Sequence, residues 1–162
     1  MESVSKKNID RLNEIAAKAA EELDLVILRI TARGVPSRAI IECTLDGPKL
    51  VSIGDCEIVS KKLNDAIEAE SLLSGNFRLD VLSPGLDEPV VHDYQFQRTR
   101  GHLVEATYDD DGKKASVLGI LGEYTPDEIV ILKRQSKRGT APTEIRILRT
   151  QILSIYQRPD FG

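Results

Sequence analysis

The sequence predicts an α+β protein in two parts. Three observations predict it. Two amphipathic helical stretches lie in the first half and alternate with strand-like runs. Helical periodicity then stops after Pro89. Short apolar alternations separated by Gly, Asp and Pro take over to the end. The boundary is placed at residue 90, giving an α/β domain over 1–90 and an all-strand domain over 91–162.

Lys6 to Leu23 reads as a helix. Ile9, Leu12, Ile15, Ala16, Ala19 and Leu23 recur at three- and four-residue spacing, and Ser5 suits the N-cap. Leu25 to Ala32 is a strand, Arg33-Gly34-Val35-Pro36 a turn, and Ser37 to Leu45 the returning strand of a hairpin. Its alternating Ala39, Ile41, Cys43 and Leu45 form one apolar face. Asp46-Gly47-Pro48 ends that strand. A second helix follows, opened by Ser52 and Asp55 as a capping box with Asp in place of Glu. Its apolar stripe is Ile53, Cys56, Val59, Leu63 and Ile67. Asn76 to Leu82 is the third strand, with Phe77, Leu79 and Val81 on one face. The order α-β-β-α-β implies two helices covering one face of a three-stranded sheet.

Ser83-Pro84-Gly85 follows that strand directly. Pro84 fixes φ for the second position of a type II turn and Gly85 supplies the positive φ of the third, so Leu86 is expected to be buried at the corner. Pro89 blocks continuation of either a helix or a central strand. Beyond it lie strands at His102–Tyr108, Lys113–Tyr124, Ile129–Lys133, Glu144–Leu148 and Ile152–Tyr156. Asp109-Asp110-Asp111-Gly112 is the first hairpin tip, and Gly119 and Gly122 mark bends. Five short strands in so few residues imply a small closed barrel of SH3-like or Sm-like type.

Composition removes several function classes. No apolar run reaches the roughly 18 residues of a membrane span, and Met1 to Lys7 has no apolar core of a secretory signal, so a cytoplasmic protein is expected. Cys43 and Cys56 lack metal-ligand spacing with each other or with His92 and His102. They read as reduced, buried side chains. No metal or cofactor is expected. The formal charge of −4 argues against a general nucleic-acid binder. The charge is uneven. Residues 1–91 carry 11 Lys/Arg against 16 Asp/Glu, and residues 92–162 carry 11 against 10.

No catalytic constellation stands out. Gly119-x-x-Gly122 precedes no helix and is no phosphate loop. The Asp109–Gly112 run lacks the alternating ligands and final Glu of a calcium loop. Asp87 and Glu88 are adjacent acids, and Asp87 suits a turn acceptor better than a paired carboxylate. Lys133, Arg134, Lys137 and Arg138 cluster on a loop. They either track phosphates or keep the loop solvated, and no interleaved aromatic supports base stacking.

Ser83-Pro84-Gly85-Leu86-Asp87-x-Pro89 resembles the Ser-Pro-Gly-Leu-Asp-x-Pro signature of the RimP family. Leu45-Asp46-Gly47 through Ser52-Ile53-Gly54-Asp55-Cys56-Glu57-Ile58-Val59-Ser60 is similar to that family's strand, loop and helix start. Phe96-x-x-x-x-Gly101 followed by Val117-x-Gly119-x-Leu121 is similar to the opening of its C-terminal barrel. The resemblance spans nearly the whole chain. Three departures stand out: Glu88 where the family commonly has Arg, Val90 where it often has Leu, and the long loop Gln135–Thr143.

The resemblance implies a non-enzymatic, monomeric, cytoplasmic bacterial factor. It would bind the immature small ribosomal subunit and its basic protein S twelve, with rRNA as a further contact. On that view Asp87, Glu88, Asp109, Asp110 and Asp111 are the candidate contacts to the protein partner. Lys133, Arg134, Lys137 and Arg138 are the candidate contacts to rRNA. Two rival readings stand beside it. An Sm-like RNA-binding regulator would assemble into rings, and a small hydrolase would use Asp87 or His92.

Overall fold

The computed structural model describes residues 4–133 and 141–159 of the 162. Their contacts divide the chain into two compact units, Met1–Pro84 and Gly85–Gly162.

In the first unit, α1 (Lys6–Glu21) begins where the Ser5 hydroxyl accepts the Asn8 N–H at 3.2 Å. It ends as Asp24 enters the left-handed region (φ 57°) and the Leu25 N–H donates to the Ala20 carbonyl. Strands β1 (Val26–Arg33) and β2 (Arg38–Asp46) form the expected antiparallel hairpin. Helix α2 (Ile53–Glu70) carries the predicted capping box. The Ser52 hydroxyl accepts the Asp55 N–H, and the Asp55 carboxylate accepts the Ser52 N–H, both at 3.0 Å. The Ser52 backbone N–H, and after it the Ser52 side chain, hold the Asp55 carboxyl below the usual Asp range. Strand β3 (Asn76–Leu82) then pairs parallel to β2, so α2 is the crossover and the sheet order is β1-β2-β3.

Leu12, Ala16, Ile41, Leu45, Val59, Leu63 and Ile67 are buried in one core between the helices and one sheet face. Cys43 lies in it as a free thiol, pushed up to about 12 by burial. Cys56 is free and partly buried. Ile53 corrects the expected apolar stripe. It is 81% exposed, at the first position of α2 beside the open edge of β3.

The second unit opens with a correction. A short helix, α3 (Asp93–Thr99), stands where only strands were expected. Gln95 starts it. Its buried side-chain oxygen accepts the N–H groups of Val91 (2.7 Å) and His92 (2.8 Å). Phe96 fills the core, and the Arg149 guanidinium lies 4.3 Å from its ring centroid while pairing with Asp93 at 3.0 Å.

Strands β4 (Leu103–Asp110), β5 (Lys113–Tyr124), β6 (Glu128–Lys133) and β7 (Thr143–Leu148) make an antiparallel meander. A single 3-10 turn (Arg149–Gln151) leads to β8 (Ile152–Gln157), which pairs with β4. The sheet order is β7-β6-β5-β4-β8. All five strands were expected. Their closure into a barrel was not found: among the described residues β7 and β8 are edges, and no strand pairing joins them. The core is Val90, Phe96, Val104, Ala106, Val117, Leu121, Ile129, Ile131, Ile147 and Ile155.

The corner also differs from expectation. The turn is closed by the Glu88 N–H donating to the Gly85 carbonyl at 3.2 Å, so Gly85 is its first residue and Leu86–Asp87 its centre. None of the three has a positive φ. A glycine at the first position of a turn needs no left-handed backbone. Leu86, at the outer bend, is 42% exposed rather than buried. Pro84 still has a role: lacking an N–H, it cannot extend the β3 ladder.

Gly119 is required for a different reason. A Cβ there would lie 2.7 Å from the Leu132 carbonyl oxygen and 2.7 Å from Ile131 Cγ2. Gly119→Ala is therefore expected to cost about 1–3 kcal/mol by overpacking. Gly85→Ala, whose Cβ meets nothing nearer than 4.0 Å, should leave the melting temperature nearly unchanged. Thermal denaturation of the two variants side by side checks both.

A second expectation concerns pH. A carboxylate whose pKa is lowered on folding stabilises the fold above its ordinary range and loses that contribution on acidification. Asp55→Asn should lower the melting temperature at neutral pH and change it little in strong acid. An equal loss at both pH values would show that the charge of Asp55 contributes nothing.

Candidate functional site

The sequence offers three candidate clusters, and each meets a different fate. At the corner, β3 ends and the chain turns through Leu86 and Asp87. Asp87 is exposed and Glu88 half-buried. Pro89 bridges to Tyr156, and the Val90 N–H donates to the Ile155 carbonyl at 2.7 Å, so this segment lies along the free edge of β8. The signature residues thus end one unit's sheet and begin the next unit's core, with Val90 buried.

The acidic hairpin tip joins β4 to β5. Asp111 (φ 54°) and Gly112 (φ 88°) occupy successive left-handed positions, as a tight two-residue turn demands. The Asp109 carboxylate accepts the Gly112 N–H at 2.8 Å and so fixes the turn. Register then qualifies the charge. Asp109 lies opposite Lys114, and Asp110 opposite Lys113. Two lysines offset most of the negative charge of the three acids, and Asp111 stands at the tip. Nothing in the alternating pattern of the sequence shows this pairing until the turn length is known.

The basic loop falls only partly within the described residues. Lys133 is exposed at the end of β6, opposite Thr143 of β7. Arg134, Lys137 and Arg138 lie outside the described residues, as does most of the loop Gln135–Thr143.

The residues of the hydrolase reading are not assembled. Asp87 sits in an exposed turn, and exposed His92 stacks on Tyr94 ahead of α3, with ring centroids 5.4 Å apart. Among the described residues no group of three His, Cys, Asp or Glu could hold a metal ion, and no helix is long and apolar enough to cross a membrane. An open groove runs between α2 and the free edge of β3, lined by Ile53, Cys56, Ser60, Asn64, Arg78 and Leu82 among others.

Sequence reasoning missed one surface altogether. The helices cover one face of the β1-β2-β3 sheet, and the opposite face carries Arg29, Arg33, Arg38 and Arg78, all exposed. Their signal was present as the alternate positions of strands read only for their apolar residues.

The weaker motifs acquire physical reasons. In Leu45-Asp46-Gly47, the Asp46 carboxylate is buried and accepts the Gly47 N–H at 2.9 Å. A Cβ on Gly47 would lie 2.8 Å from the Leu25 side chain, so β2 ends where α1 returns to the sheet. Phe96, Val117 and Leu121 are core residues of the second unit, and a Cβ at Gly119 would run into the neighbouring strand β6.

Comparison with known proteins agrees with these motifs. The profile described as the RimP N-terminal domain matches residues 15–87. The chain is also 30% identical over 149 residues to the ribosome maturation factor RimP of Pelodictyon phaeoclathratiforme, an alignment covering 85% of each chain. That match runs through both units, and with it the chain belongs to the RimP family of ribosome maturation factors, a family of assembly factors and not of enzymes.

Proposed function

We propose that this protein is a cytoplasmic, monomeric assembly factor whose two units act as separate domains on the immature small ribosomal subunit. The observation that carries the proposal is the alignment to a ribosome maturation factor along 85% of both chains. The second unit, with a four-stranded meander and a fifth strand returning after a 3-10 turn, is read as an SH3-like module of that factor.

The partner contacts follow charge. Protein S twelve is basic in the family picture, and complementary charge steers encounter. Asp87, Glu88, Asp109, Asp110 and Asp111 are the surface proposed for it. The Lys113 and Lys114 partners of the hairpin acids make Asp111 and the corner acids the larger contributors. Lys133, Arg134, Lys137 and Arg138 are proposed to meet rRNA, where each phosphate contact releases counterions.

Sucrose-gradient fractionation of lysate tests the function. The chain should co-sediment with immature small subunits and be absent from mature ribosomes. A chain found only in the free fractions contradicts the reading. Two variants then test the surfaces. Replacing Asp109, Asp110 and Asp111 with Asn keeps the turn acceptor at Asp109. It should weaken binding to isolated protein S twelve several-fold at low salt, with the difference fading as salt rises. Replacing Lys133, Arg134, Lys137 and Arg138 with Gln should spare that binding and weaken association with the subunit. The reverse pattern would exchange the two surfaces.

A further inference from the structure

We propose that the open face of the β1-β2-β3 sheet is an RNA-binding surface that grips backbone phosphates through Arg29, Arg33, Arg38 and Arg78. The proposal rests on the small-subunit reading above and assigns the first unit a contact of its own.

Register places the four arginines together. On β2, Ala39, Ile41, Cys43 and Leu45 point into the core, so Arg38, Ile40 and Glu42 point the other way. Arg33, Ile40 and Arg78 form one row across the three strands. Arg38 lies opposite Asn76, one pleat away, and Arg29 lies opposite Thr44 at the far end. Neighbouring strands are roughly 4.8 Å apart, so the row brings two guanidinium stems to within about 10 Å of each other.

Charge is segregated onto this face. Residues 1–84 hold 11 Lys/Arg against 14 Asp/Glu, an acidic unit. Four of its five arginines nevertheless lie on the sheet face, while Lys6, Lys7, Lys18, Lys49, Lys61 and Lys62 all lie on helices or the loop before α2. The face also carries two half-buried acids. Glu42 pairs with Arg33 at 3.2 Å, and Asp80 pairs with Arg78 at 3.0 Å. Those pairs hold the two guanidinium groups over the sheet and leave the face with more cations than acids. Asp46, at the end of β2, is buried and bonded to Gly47.

The choice of arginine points to phosphate. Its planar fork matches phosphate oxygens bidentately, whereas lysine offers a point charge. A protein partner would want an apolar or aromatic centre. Here the sheet's one aromatic residue, Phe77, packs towards the helices, and Ile40 is half-buried between arginines. Without an exposed aromatic the face offers no aromatic platform for bases. It therefore reads backbone and not sequence.

The test measures fluorescence anisotropy of labelled RNA with the full chain. The probes are a single-stranded oligouridine and a duplex, each about two helical turns long. The variant is Arg33→Gln with Arg38→Gln and Arg78→Gln, checked for an unchanged melting temperature. Loss of three phosphate contacts should lower the slope of log affinity against log salt by about 2, and lower affinity roughly tenfold or more at low salt. The reciprocal variant, Glu42→Gln with Asp80→Asn, should tighten binding. Whichever probe shows the arginine dependence identifies the strandedness of the target.

The proposal is overturned if the triple variant keeps the native slope and affinity on both probes. It is equally overturned if a polyglutamate peptide binds in the same arginine-dependent way as tightly as RNA, which would make the face an acidic-protein site. Sedimentation separates the two readings. If the native chain fails to co-sediment with immature small subunits, the small-subunit function falls while an arginine-dependent RNA affinity stands by itself. If co-sedimentation holds and the anisotropy result is negative, this face alone falls.

Discussion

One constraint organises the first unit: β2 is the middle strand of a sheet that helices cover on one side only. Its inward residues, Ala39, Ile41, Cys43 and Leu45, are all almost fully buried. Full burial of such side chains is the dominant favourable term in folding. It fixes register, because a slip of one residue would turn Arg38, Ile40 and Glu42 into the core. The helices are tied across their tops by exposed ion pairs, Arg11 with Glu70 and Lys62 with Glu22. Such pairs add little stability. Their acids lie on the helix side, so the covered face of the sheet becomes the acidic side of the unit and the bare face the cationic one.

The second unit solves its packing with fewer helical residues. Its sheet carries Val104, Ala106, Val117 and Leu121 inward, and α3 closes over them with Phe96. A seven-residue helix has little stability of its own. Here the Gln95 acceptor, the Asp93–Arg149 pair and the stacking of Arg149 on Phe96 hold it. Arg149 comes from the 3-10 turn before β8, so the last strand and the first helix are fastened by one side chain. Pro89 and Val90 run beside β8, where an unpaired edge would otherwise invite another chain.

Much of this was legible in the sequence, and the failures have physical causes. Ser5, Ser52 and Asp55 announced both large helices because capping is local chemistry. Strands β2 and β3 were found by alternation, which reports a buried face directly, and the others as short apolar runs between turn residues. Helix α3 was missed because seven residues give too few turns for periodicity. Its trace was Gln95 three residues after His92, half of a capping box without the usual cap residue. Gly85 misled because Pro-Gly suits a type II turn, yet the turn's position depends on where β3 ends, which is a tertiary matter. Closure of the barrel was inferred from strand number, but strand number does not specify which edges meet. Reading for apolar faces also hid the arginine face and the lysines opposite Asp109 and Asp110, since each depends on which residues stand across a strand.

Two kinds of surface then fit one task. In the proposed assignment the acidic corner and hairpin tip would meet a basic ribosomal protein, and the arginine sheet and Lys133 would meet RNA. On the proposed reading, a net negative chain would reach a polyanionic particle by grouping its cations instead of adding more of them. The most direct measurement is a cryo-electron microscopy map of the chain bound to immature small subunits. The account predicts rRNA backbone density against Arg33, Arg38 and Arg78, and protein density beside Asp87 and Asp111. A bound chain whose sheet face and acidic tip both point into solvent would contradict it.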